Sequence, residues 1–215
     1  MITESVPAGE LRRLPSDFEM PAVPLSVEWT AGEEGREEEQ IEFSWAGETA
    51  RHVGTVVHRW LQRMAEDELR GWDVKRLVSL ETSIRTELMR RGVQSSEINA
   101  AVERSLSALD GTLGDERGRW AVGRHADARS EYRLRTWDGG QMRSCVIDRV
   151  FRDGDGATWV VDFKTSRHEG TDLSGFLDRE QDRYAKQMMA YRAAIPGSRL
   201  GLYFPLHSGW REWEA

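Results

Sequence analysis

The sequence predicts an α/β domain: a central mixed β-sheet flanked by helices, with a helical portion leading into it. Three observations carry the prediction. Apolar residues recur at helical spacing from about 52 to 109, as on the inward faces of amphipathic helices. The period then drops to two in three successive segments separated by glycine-rich turns. Helical spacing returns over 178–194, and two short strand-like segments follow, an order that suits a mixed sheet.

Taken in order, Val57, Trp60, Leu61, Met64 and Ala65 mark one face of a first helix. A second is predicted over 73–91, with Leu77, Leu80, Ile84 and Leu88 inward and Gly92 as its stop. A third starts near Ser95 as cap and carries Ile98, Ala101, Val102, Leu106 and Leu109. SEYRLRTW (130–137) alternates as a strand, and Asp138-Gly139-Gly140 is a hairpin turn signal. QMRSCVIDRVF (141–151) is a second strand, and Gly154-Asp155-Gly156 a second turn. ATWVVDFKT (157–165) is more continuously apolar, as a central strand is. The helix over 178–194 ends at Pro196-Gly197, and RLGLYFPL (199–206) and WREWE (210–214) close the chain as strands.

Charge divides the chain. Of its 215 residues, 30 are Lys or Arg and 37 are Asp or Glu, a net of −7. Residues 1–50 hold three basic residues against twelve acidic ones, which leaves 27 basic and 25 acidic in 51–215. The acidity therefore describes a lead-in, rich in proline and in the run EEGREEE, while 51–215 reads as one domain of net +2. Such a domain does not exclude a polyanionic partner, although the whole-chain charge argues against one. One cysteine, Cys145, excludes a disulfide framework and a cysteine-rich metal site. No apolar run approaches the roughly 20 residues of a membrane span, and the start lacks the apolar core of a secretory signal. A cytoplasmic chain is expected. No phosphate-cradling G-x-x-x-x-G-K occurs.

The turns fix a register. A two-residue Gly139-Gly140 loop pairs Asp138 with Gln141 and places Glu131 opposite Asp148; a symmetric three-residue Gly154–Gly156 loop places Asp148 opposite Asp162. The three acids would then form one row on one face, with Lys164 two residues beyond Asp162. Directly opposed carboxylates repel. A hard divalent cation relieves that repulsion and can activate water against a phosphate. The same spacing also suits a cross-strand salt-bridge ladder from the acids to Lys164 and Arg149.

IDRV (147–150) followed by VVDFKTS (160–166) resembles the motif of the PD-(D/E)xK nucleases, in the form used by the RecB- and AddA-like nuclease domains of bacterial helicase–nucleases. GTVVHRWLQ (54–62) is similar to the family's G-T-x-x-H-x-x-L helix, Glu131 stands where the family has an acid before the hairpin, and YAKQMMAY (184–191) is similar to its Y-x-x-Q-x-x-x-Y helix. The likeness spans about 52–206. It implies a restriction-endonuclease-like fold and a Mg2+-dependent deoxyribonuclease, with Mn2+ also effective. By the resemblance, His58, Asp148, Asp162 and the backbone carbonyl of Phe163 bind the metal. Lys164 is the catalytic lysine and Glu131 an auxiliary acid. Gln187, Tyr191 and Tyr184 line the site. Arg149, one of the arginines clustered around the proposed strands, is read separately as supporting the site or tracking phosphates. The implied substrate is single-stranded DNA delivered by a helicase motor in DNA end processing or recombinational repair. A weakly catalytic nuclease-fold module for DNA binding or helicase contact is the alternative. Iron–sulfur relatives use four cysteines and this chain has one, so no cluster is expected.

Overall fold

The computed structural model of the protein describes residues 47–138 and 141–213. The lead-in expected over 1–50 falls outside them except for its last four residues, as do the turn glycines 139 and 140.

Helix α1 (Glu48–Glu66) buries Val53, Val56, Val57, Leu61, Met64 and Ala65 on one face. The single helix expected over 73–91 is two, α2 (Val74–Ser79) and α3 (Glu81–Arg90). The reason is local. The Ser79 hydroxyl donates to the Arg76 carbonyl at 2.6 Å, the acceptor that the Leu80 N–H would need to continue the helix. Leu80 bonds to Leu77 instead, the competition by which serine weakens helix interiors. Gly92 stops α3 as expected, with φ +94°. Helix α4 (Ile98–Gly114) follows Glu97 rather than a Ser95 cap. Helix α5 (Glu116–Val122) is too short to show a period in sequence; Asp115 caps it by accepting from the Gly118 N–H at 2.7 Å. A Cβ at Gly118 would run into the Tyr203 hydroxyl and the Thr112 carbonyl, so glycine permits this close approach.

Strands β1 (Ala126–Asp138) and β2 (Gln141–Arg152) form the long hairpin, and β3 (Thr158–Phe163) pairs with β2. Helix α6 (Leu173–Ala194) crosses over to β4 (Arg199–Phe204), which lies parallel to β3, and β5 (Gly209–Trp213) closes the sheet antiparallel to β4. The order is β1-β2-β3-β4-β5. The pairings predicted beside the two turns hold: Asp138 pairs with Gln141, and the Asp153 N–H donates to the Ala157 carbonyl at 2.9 Å. Along β3, Trp159, Val161 and Phe163 enter one core with α1 and α4, while Val160 enters another with Leu177, Tyr184, Met188 and Tyr191 of α6. Helices therefore cover both faces, as expected for an α/β sheet with a parallel pair.

Candidate metal centre

Three elements deliver a cluster. Helix α1 carries His58, one turn beyond Gly54, where a Cβ would sit 3.0 Å from Thr165 Oγ1. The bare glycine lets α1 lie close to the end of β3. Strand β1 carries Glu131, whose φ of +49° is left-handed, a costly conformation for a residue with a Cβ. The ladder is intact on either side, Ser130 with Arg149 and Tyr132 with Ile147. Glu131 and Asp148 thus stand opposite each other, as the turn arithmetic requires. One side-chain ligand atom each of His58, Glu131 and Asp148 lies within 4.8 Å of the others.

Asp148 is held at both oxygens. Its Oδ1 accepts from His58 Nδ1 at 3.2 Å and its Oδ2 from the Phe163 N–H at 2.7 Å. Burial works against charge on both partners, but their mutual attraction prevails. The Asp148 carboxyl is lowered, and the His58 imidazole is raised to about 9. Burial, with Asp148 adding repulsion, raises Glu131.

Asp162 is not one of that trio, but its charge acts on both His58 and Asp148. The β2–β3 ladder ends at Arg149–Val161, one step short of the expected Asp148–Asp162 pairing. The register up to that point is the expected one, without a bulge. Only 2% exposed, Asp162 pairs through Oδ2 with Lys164 Nζ at 3.1 Å, yet that oxygen makes no hydrogen bond. Burial, opposed by Lys164 and reinforced by Asp148, raises its carboxyl to about 6. Lys164, 7% exposed, also donates to Gln187 Oε1 at 3.1 Å and lies 3.9 Å over the Tyr184 ring. Gln187 in turn donates to the Tyr191 hydroxyl at 2.7 Å, which donates to the Val146 carbonyl at 2.9 Å. Tyr184, Gln187 and Tyr191 do share one face of α6, and they hold the lysine from the side opposite α1.

Arg149 is not brought to this cluster. Alternation along β2 turns it away from Asp148, and it is 4% exposed. It donates to Ser130 Oγ at 3.0 Å and to the Gly123 carbonyl at 2.8 Å, tying the end of α5 to the hairpin. Burial lowers its pKa to about 10. Two polar residues absent from the sequence reading also approach the site. Ser166 donates to buried Glu180 at 2.5 Å. Glu180 lies four residues before Tyr184 on the same stripe, a spacing that could have revealed it.

The donor set suits a divalent cation. It combines crowded carboxylates, two of them raised by burial and mutual repulsion, a buried carboxylate oxygen without a hydrogen bond, and an imidazole. No helix among the described residues is long and apolar enough to cross a membrane.

No curated protein matches the chain. Among solved structures, the "Crystal structure of SSO0001" is similar at 17% identity and TM-score 0.30, covering 71% of this chain and 74% of that one. The "Crystal structure of protein VC1899 from Vibrio cholerae" is similar at 12% identity and TM-score 0.23, covering 74% of this chain and 48% of that one. Residues 33–201 match the sequence profile of the PD-(D/E)XK nuclease superfamily. With a mixed five-stranded sheet between helices and a histidine–carboxylate cluster drawn from α1, β1 and β2, the chain belongs to that superfamily.

Proposed function

We propose that the protein is a Mg2+- or Mn2+-dependent deoxyribonuclease that hydrolyses phosphodiester bonds, acting on single strands supplied by a helicase in DNA end processing or recombinational repair. The observation that carries the reading is the convergence of His58, Glu131 and Asp148 beside the buried Asp162–Lys164 pair. His58, Asp148, Asp162 and the Phe163 carbonyl would hold the ion, with Glu131 at its edge. A bound divalent ion supplies an activated water and offsets charge on the phosphate.

The chain's own residues do the rest. The ion pair with His58 and the Phe163 N–H fix Asp148 in one orientation. Lys164, desolvated and held by Gln187 and Tyr184, presents an ammonium to the charge that develops on a phosphate. Tyr191 and Gln187 keep that ammonium from swinging away. Exposed Arg133 and Arg135 on β1 offer charges to neighbouring phosphates. Residues 1–50 serve as an acidic linker or docking arm to the motor, and 51–215 as the nuclease domain.

The test is degradation of end-labelled single-stranded DNA with Mg2+ or Mn2+, compared with EDTA. Asp162→Ala and Lys164→Ala should each lose at least about 100-fold in rate. Undiminished cleavage in both variants overturns the site. DNA binding without cleavage under either ion makes the domain a binding module.

A further inference from the structure

Glu180 is a buried carboxylate to which the chemistry above gives no task. It is 7% exposed on α6, one turn before Tyr184. One oxygen accepts from the Ser166 hydroxyl at 2.5 Å and the other from Arg183 Nη1 at 3.2 Å. Ser166 is two residues beyond Lys164, in the segment that leaves β3 without a strand partner. The backbone of that segment is pinned at its start, where the Lys164 N–H donates to the Tyr203 carbonyl at 2.9 Å. Farther along, the ring of His207 lies 3.1 Å from the Ser166 carbonyl. Between these points, the Ser166–Glu180 hydrogen bond joins the segment directly to the helix that holds the lysine's ammonium.

Burying a carboxylate is costly unless it is hydrogen-bonded and paired. Glu180 meets both conditions with groups bound to the lysine's surroundings. Ser166 belongs to the same short segment, and the Arg183 guanidinium lies 5.4 Å over the Tyr184 ring that Lys164 also touches. Four residues of one helical stripe therefore face the end of β3 and the hairpin. Tyr184 and Gln187 take the lysine's ammonium, Tyr191 takes the Val146 carbonyl, and Glu180 takes the lysine's backbone through Ser166.

We propose that Glu180 is a positioning residue: by accepting the Ser166 hydroxyl, it locks the segment after Lys164 to α6 and fixes the ammonium against Asp162. The proposal rests on the reading of Lys164 as the site's lysine. Because a misplacement of about 1 Å can cost roughly 100-fold in rate, the tether acts on turnover more than on substrate binding.

The chain has three lysines, Lys75, Lys164 and Lys186, and the other two are exposed. Amine-selective acylation followed by peptide mass spectrometry can therefore report the position of Lys164 without any nuclease assay. The full-length protein is compared with Glu180→Ala, Glu180→Gln, Ser166→Ala and Ser166→Thr. Acylation of Lys164, relative to Lys75, should rise about tenfold in Glu180→Ala and Ser166→Ala. It should stay near the parent value in Glu180→Gln and Ser166→Thr, which keep an acceptor and a hydroxyl. In the cleavage assay, kcat should fall about tenfold in the two alanine variants with KM within twofold. Unchanged Lys164 acylation in both alanine variants overturns the proposal, as does a loss of melting temperature in which all three lysines react faster together. If the parent protein cleaves nothing but Lys164 acylation follows the expected order, the nuclease reading fails and the tether stands.

Discussion

His58 must give up a proton before it can ligate an ion. Its ion pair with Asp148 raises it to about 9 against the opposing effect of burial. That protonated pairing is fully present below the ordinary imidazole range and is lost as pH rises through about 9. Asp162, raised to about 6 by burial, favours its neutral form; the associated stability is present below the ordinary carboxyl range and lost as pH rises through about 6. Between these values Asp162 is ready and His58 is not. Affinity for Mn2+ should therefore climb with pH from about 7 towards 9, approaching tenfold per unit, and calorimetry in two buffers should show one proton released per ion. His58→Ala should flatten the slope; a parent affinity level across that window would remove His58 from the ligand set. At this scale the sequence was legible where residue types carry chemistry. His58, Asp148, Asp162 and Lys164 stand out from their motifs, and all lie within one site. Glu180 did not stand out, because a helix glutamate is ordinarily solvated and only its place one turn before Tyr184 marks this one.

Helix α1 owes its approach to Gly54. Replacing that residue with valine adds branched bulk 3.0 Å from Thr165 and forces α1 away from the end of β3. Such overpacking costs about 1–3 kcal/mol, measurable by urea denaturation, and should weaken Mn2+ binding through His58. Lost stability with unchanged Mn2+ affinity would show that helix placement does not set the histidine. The hairpins were readable from their turns, since glycine and aspartate at fixed offsets determine the pairing on either side. What the turns could not convey is where β3 leaves β2. That parting depends on the side chains of Asp148, Asp162 and Lys164 and on packing against two helices. The break between α2 and α3 was hidden for a similar reason: Leu80 keeps the apolar period, and only the Ser79 hydroxyl diverts the backbone bond. Helix α5 depends on a cap and a tertiary contact, neither of which has a period.

Across the whole molecule, charge is unevenly placed rather than abundant. A domain near neutrality should bind single-stranded DNA through a few phosphates, so log affinity against log salt should have a shallow slope, about −2 to −3 for three or four contacts. The Arg133→Ala, Arg135→Ala double variant should reduce its magnitude by about 1.4. An unchanged slope would place the DNA elsewhere than along β1. Composition revealed the division between an acidic lead-in and a near-neutral remainder, and the alternation of apolar segments revealed helices on both faces of the sheet. The separation into two cores was less accessible, because β3 feeds both with neighbouring residues, Val160 to one and Val161 to the other.

The hydrogen bond from the Phe163 N–H to Asp148 means that a side chain has replaced a strand as partner for the last amide of β3. Asp148 is thus both a rung of the sheet and a member of the histidine–carboxylate cluster proposed to hold the ion. An Asp148→Ala variant would lose both roles at once, and its inactivity could not be assigned to chemistry. Asp148→Asn keeps an oxygen for the amide while removing the charge. Fast hydrogen exchange at Phe163 in the alanine variant, and slow exchange in the asparagine variant, would separate the scaffold's need for this residue from the reaction's.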